Sequence, residues 1–300
     1  MAQALTAAEA APWVERREPQ QRHYATARTE RLDVVADAVA HACRDSRRPV
    51  IADLGRGPGS PAAGRADRLP HARVLGVDHD PFLLALGQAV HGAAVTFVDA
   101  RIGPGSWTPA LSADGRLDAV VSTAALHDLP PADLATVYQQ VHDLLRPGGV
   151  PVDADHLFQN DAPVRGLAAA VGRGHRARQA EQPAEDWADW WAVAAVHEGF
   201  AELLAERARR GTGPDGDNGL GAREYAELLC KAGFPAVGTV WQCGHSVVLT
   251  AVRGEEAGVE RGRPGPGLSR PSAARPGRDC GAAPRTSGRR PPWSERACPE

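Results

Sequence analysis

The sequence predicts a doubly wound α/β fold: a mostly parallel sheet, helices on both faces, and an antiparallel hairpin at the end. Three observations carry this. Apolar runs ending in an acid alternate with helix-forming runs between residues 50 and 156. A turn with glycine at alternate positions, "VIADLGRGPGS" (50–60), follows the first of these runs. The last two apolar runs, "AVGTVWQ" and "SVVLTAV", are joined by only "CGH", so they must be antiparallel neighbours.

In chain order, "ARTERLDVVADAVAHACRD" (27–45) places Leu32, Val35, Ala36, Val39 and Ala40 at helical spacing. Val50 to Leu54 form the first strand. Ser60 and Pro61 begin a short helix that Pro70 closes. "ARVLGVDHDP" (72–81) is a strand, "FLLALGQAVHG" a helix, "AVTFVDA" (94–100) a strand and "LDAVVSTAAL" (117–126) another. "ADLATVYQQVHDLLRPGG" (132–149) is a helix with a proline-glycine stop that leads into "VPVDADH". "REYAELLCKAGF" (223–234) is the helix before the closing hairpin.

The stretch 158–222 is too long for one crossover. It contains "QPAEDWADWWAVAAVHEGFAELLAERARR" and the loop "GTGPDGDNGLG", and reads as a helical lid over the substrate. Trp187, Trp190 and Trp191 share a helical face; packing of lid on sheet is the plainer reading, an aromatic substrate wall the sharper one.

Composition bounds the organisation. Of 300 residues, 43% are hydrophobic, enough for a sizeable core, and no apolar run is long enough to span a bilayer. The first residues lack a secretory pattern, and five scattered cysteines without a CxxC pair fit a reducing cytoplasm. Lys231 is the only lysine, a bias expected of a GC-rich gene. The segment 253–300, rich in Arg, Pro and Gly, reads as a disordered tail. Of 34 basic and 37 acidic residues it holds ten and six, which leaves 24 and 31 in 1–252. So acidic a domain is a poor fit to nucleic acid.

Asp53, Asp78 and Asp99 fall at or just past strand ends, where such sheets bind ligands. Singly, each reads equally well as a helix cap or turn residue. A dinucleotide fold wants GxGxxG, whereas "GRGPGS" brings its third glycine early and puts Ser60 in the last position. The acid two residues before Gly55 suits a ligand with an amino group, and Asp78 is placed to accept ribose hydroxyls.

With these residues in view, the chain resembles the class I S-adenosylmethionine-dependent methyltransferases over residues 28–252. "DLGRGPG" is similar to that family's first motif, "GVDHDP" to its ribose acid and "VDA" to its adenine-side acid. "LDAVVSTAALHDLP" and "LRPGGV" resemble its fourth strand and the turn before its fifth. The resemblance implies a seven-stranded sheet of order 3-2-1-4-5-7-6 with an antiparallel last strand. It implies S-adenosyl-L-methionine as cofactor, with Gly55 and Gly57 beneath its methionine part and Asp53 approaching its ammonium. Asp78 would hold the ribose and Asp99 with Ala100 the adenine. Gly59, His79 and Thr123 complete the implied cofactor set. Arg56 departs from the family, where that position is small or cysteine.

The strand after 117 lacks the Asn/Asp-Pro-Pro-aromatic run of base and amide methylation, so the expected partner is a small-molecule acceptor methylated on oxygen or nitrogen. Neither nucleic acid nor membrane is expected, a homodimer is allowed for, and no metal-ligand spacing is apparent. His127, Asp128 and His156 are the candidates for catalysis, against a plain hydrogen-bonding role. His23 and Tyr24 are placed to close over the methionine end. Two other readings stay open: a methyltransferase fold that has lost its chemistry, which Arg56 favours, and an NAD(P)-dependent oxidoreductase.

Overall fold

The computed structural model describes residues 4–59, 69, 71–105, 107–111, 116–179, 185–212 and 216–255. The expected helix at 60–70 and nearly all of the 253–300 segment lie outside them, as do the side chains of His23 and Tyr24.

Seven strands form one sheet: β1 (Val50–Leu54), β2 (Arg73–Asp78), β3 (Val95–Asp99), β4 (Leu117–Thr123), β5 (Leu145–His156), β6 (Ala236–Cys243) and β7 (Ser246–Val252). Their order is β3-β2-β1-β4-β5-β7-β6, as the resemblance implies. The first five run parallel, and β7 is antiparallel to both β5 and β6. Asp78 stands directly beside Asp99 in the register, so two acidic strand ends share one rim.

Among the described residues, eight α-helices longer than a single turn surround the sheet: α1 (Ala7–Tyr24), α2 (Arg28–Cys43), α3 (Pro81–His91), α4 (Pro131–Leu144), α5 (Ala162–Gln179), α6 (Trp187–Ala195), α7 (Ala201–Arg210) and α8 (Ala222–Lys231). Alternate residues of a strand face opposite layers. Ile51 and Val121 pack with Val35 and Val39 of α2, while Ala52, Leu54 and Val120 pack with Val137 and Val141 of α4. Both faces are thus covered, which is why the strands read as nearly continuous apolar runs.

Two local expectations are corrected. The helix begun at 131 stops at Leu144, and "LRPGG" is the bulged entry to β5: Leu145 pairs with Leu117, then the register slips before Val150 meets Ala119. Arg253 belongs to the fold. Its backbone exchanges hydrogen bonds with Gly148 and Gly149, and its guanidinium donates to the carbonyls of Asp143 and Leu145.

A third cluster joins α1, α3, α6 and α7 around Trp13, Phe82, Trp190 and Phe200. Trp190 is fully buried, its ring 5.7 Å from Trp13 and 5.8 Å from Phe82, and its indole N–H donates to the Trp13 carbonyl. Trp190→Ala is expected to cost about 3–5 kcal/mol of stability by opening a cavity between α6 and the helices α1 and α3. Chemical denaturation followed by circular dichroism would show it, and an unchanged midpoint would mean that α6 packs independently of α1.

Candidate active site

A cavity of about 900 Å³ opens at the carboxyl ends of the strands. Its floor comes from the turns after β1, β2 and β4, and its roof from α1, α5, α6 and α7.

The glycine turn makes the first wall. Gly55 and Gly57 have φ of 68° and 59°, left-handed values that favour glycine. A Cβ at Gly55 would also collide with Ala125, because the turns after β1 and β4 abut there. Ala124, with φ of 53°, takes the same rare conformation on the cavity wall. That constraint left no trace in the sequence pattern.

Asp78 closes β2 and reaches the cavity. One carboxylate oxygen accepts the N–H groups of His79 (2.7 Å) and Asp80 (2.9 Å), and the other accepts that of Gly57 at 2.6 Å. Burial pushes Asp78 upward, and the three N–H donors pull it back. The β2 terminus therefore shapes the glycine turn, and the carboxylate, with three acceptor sites filled, keeps about one more in the cavity it lines.

Gly55, Gly57, Asp78 and His79 line the cavity together with His127, Asp128 and His156. Asp53, Gly59, Asp99, Ala100 and Thr123 do not. Asp53 sits beneath the turn, its carboxylate 3.0 Å from the guanidinium of Arg56, and burial pushes it up to about 6 against the pull of Arg56. The expected approach of Asp53 to an ammonium is replaced here by an internal ion pair. Asp99 faces α7, where Arg210 holds both of its oxygens at 2.7 and 2.9 Å. The Ala100 N–H is taken by the Asp78 carbonyl at 2.8 Å. Arg101 and Ile102, just beyond, line the cavity on that side instead.

The end of the cavity beside β4 and β5 is built around Asp155, a residue that sequence reasoning passed over within "VDADH". Fully buried, it takes hydrogen bonds from both imidazoles, Nδ1 of His127 at 2.8 Å and Nδ1 of His156 at 3.0 Å. Beyond them stand Asp128, 3.5 Å from His127 Nε2, and Asp217, 3.2 Å from His156 Nε2. Acid and imidazole alternate through five groups. Burial opposes charge on His127, but the hydrogen bond and charge of Asp155 outweigh it and hold the ring up to about 9. His156 is raised as well, chiefly by its bond to Asp155.

His127, Asp155 and His156 bring ligand-type atoms within 4.8 Å of one another, close enough to gather round a metal ion. Sequence spacing hid this group, since its members come from two strand ends. Its surroundings are cationic, however. Arg17, Arg31, Arg101, Arg173, Arg176 and Arg207 all line the same cavity. Arg31 is buried and Arg17 half-buried, each held down to about 10 chiefly by its removal from water. The Nε of Arg31 and one terminal nitrogen of Arg17 lack any hydrogen-bond partner. Such cations suit anions far better than a metal.

The tryptophan face divides: Trp190 is core, while Trp187 and Trp191 line the cavity. Trp191 is also covered by the Arg207 guanidinium at 4.0 Å, and Arg207 in turn bonds Asp80 at 2.6 Å.

Comparison with known proteins agrees with this geometry. A family model described as a methyltransferase domain matches residues 51–149. The trans-aconitate 2-methyltransferase of Azoarcus sp. (strain BH72) is 31% identical over 229 residues, 72% of this chain and 84% of that relative. The enzyme of the same name from Methylobacterium radiotolerans is 35% identical over 122 residues, 40% of this chain and 43% of its own length. Among solved structures, an O-methyltransferase family protein from Burkholderia thailandensis superposes with a TM-score of 0.49 at 18% identity, covering 74% of this chain and 56% of that one. A strand order with an antiparallel seventh strand, a glycine turn beside a strand-end acid, and a relative matched over most of its length converge: the chain belongs to the class I S-adenosylmethionine-dependent methyltransferases.

Proposed function

We propose that this methyltransferase esterifies a carboxylate of a small anionic acceptor, using S-adenosylmethionine. The observation that carries this is the arginine lining. In a chain of net charge −3, six guanidiniums line one cavity, and Arg31 and Arg17 pay a burial penalty with nitrogens left unpartnered. The names of the Azoarcus and Methylobacterium relatives point the same way, since trans-aconitate carries carboxylates.

The cofactor, when bound, supplies a methyl group on a positively charged sulfur. The lining suits it: Gly57 puts no side chain into the cavity, and Asp78 offers a carboxylate oxygen to a ribose. The remaining task is positioning, which accounts for much of the rate in a displacement of this kind. A carboxylate reaches the site already deprotonated, so no base has to remove a proton from it. His127, kept protonated by Asp155, then donates toward the acceptor's oxygens while Arg31 and Arg176 draw in its charge. The roof of α1 and α6, with Trp187 and Trp191, keeps water from the transferred group.

A second reading is favoured by the alternating acid–imidazole chain: a hydroxyl acceptor with His127 as general base. Incubation with S-adenosylmethionine and matched acceptors, trans-aconitate, a monocarboxylate and an uncharged alcohol or phenol, separates the two by mass spectrometry. A methyl ester is expected. Methyl ether alone, with the carboxylates inert, would sink the ester reading.

A further inference from the structure

Arg56 lies where a long charged side chain has the least reason to be, one residue into the glycine turn. It does not enter the cavity. Its side chain runs beneath the turn into a slot that two glycines leave open. A Cβ on Gly76 of β2 would collide with its Cδ, and one on Gly59 would come within 2.7 Å of its Nε. The Phe97 ring, 5.5 Å from the guanidinium, closes the slot.

From there the guanidinium reaches both ends of the turn. One terminal nitrogen donates to the Asp53 carboxylate at 3.0 Å, the other to the Gly59 carbonyl at 2.9 Å. On the opposite side the turn is held by Asp78 through the Gly57 N–H, and by the Val77 carbonyl, which accepts from Gly55 and Arg56. The turn is thus clamped from above by a group that lines the cavity and from below by one that does not.

Stability is a poor explanation for the lower clamp. A buried ion pair commonly contributes no more than neutral side chains of similar volume would. This one also leaves the second oxygen of Asp53 and the Nε of Arg56 without partners. What neutral side chains could not supply is the tie from residue 53 to residue 59. We propose that Arg56 is a positioning residue for the cofactor: it fixes the glycine turn from beneath and neutralises Asp53, making cofactor affinity depend on the pair. The departure from the family's small residue is then a built feature of this chain and no sign of lost chemistry.

The test is calorimetric titration with S-adenosylmethionine of the full chain and three variants: Arg56→Met, Arg56→Lys, and Asp53→Asn with Arg56→Met. Thermal melts establish that each is folded. The double variant removes both charges at nearly constant volume, so it should melt at or above the wild-type temperature, yet lose cofactor affinity by about tenfold or more. Arg56→Met leaves Asp53 buried alone and should lose both stability and affinity. Arg56→Lys keeps the charge without the second arm and should recover part of the affinity. At saturating cofactor the acceptor KM should stay at its wild-type value in all three. Wild-type affinity in the double variant or in Arg56→Lys would overturn the proposal, leaving Arg56 a mere filler of the slot. Failure of the wild-type chain to bind the cofactor would overturn the proposal together with the cofactor reading on which it rests.

Discussion

Asp78→Ala is expected to raise the Kd for S-adenosylmethionine about 100-fold, equivalent to roughly 2.7 kcal/mol. Two losses add. The carboxylate lines the cavity and keeps one acceptor site beyond its three N–H donors, which in the proposed reading takes a ribose hydroxyl, and a hydrogen bond to a charged group contributes about 1.5–3 kcal/mol. The same carboxylate also receives the N–H groups of Gly57, His79 and Asp80, so its removal releases the upper clamp on the glycine turn. Asp78→Asn separates the two effects. It retains an acceptor of the same shape and loses the charge, and about a tenfold loss is expected. Native affinity in Asp78→Ala, measured by the same titration, would remove Asp78 from the cofactor site altogether.

The fold was legible because its signals are local. Apolar runs of strand length, each closed by an acid or a glycine, must be strands whatever the context, and "CGH" between two of them leaves only a hairpin. Helices whose purpose is tertiary were harder. α1 contains Pro12 and Pro19 and is secured by a capping box, the Thr6 hydroxyl accepting from Glu9 and the Glu9 carboxylate from Thr6. α5 carries Gly166, Gly172 and Gly174, poor helix formers, and it packs so close to the β6–β7 turn that a Cβ on Gly244 would come within 3.0 Å of Gly172.

The candidate site divides along the same line. Gly55, Gly57 and Asp78 were readable because turn chemistry and strand ends announce themselves. Asp99 was read by the same logic, yet it turns away to Arg210, a partner 111 residues on that no local pattern could anticipate. Asp53 was diverted by Arg56, three residues later, whose direction depends on a slot made by Gly76 on the next strand. Arg17, Arg31 and Arg176 were invisible for a compositional reason. Nearly every basic residue of this chain is arginine, so three more raised no signal until folding brought them to one cavity.

Arg31→Ala is expected to raise the KM for a carboxylate acceptor about 100-fold while the cofactor Kd is unchanged, the size expected when a buried charge-assisted contact is lost. Stability should move the other way. Burial holds the Arg31 guanidinium down to about 10, below its ordinary value, so folding the charged form carries a cost although the group stays protonated at neutral pH, and a neutral residue should raise the melting temperature. A structural arginine would lose stability on substitution. The pH profile then separates the two readings of His127. Its folded value is raised from 6.5 to about 9, so the imidazolium is present below about 9 and lost as pH climbs through it. If His127 binds a carboxylate as a cation, acceptor KM rises across that window and His127→Asn flattens the rise. If it acts as a base on a hydroxyl, kcat/KM climbs toward the same point before levelling. A rising KM makes kcat/KM fall in the first case where it climbs in the second, so the two cannot be mistaken, and either profile should vanish in Asp155→Asn, whose amide no longer supports charge on the ring.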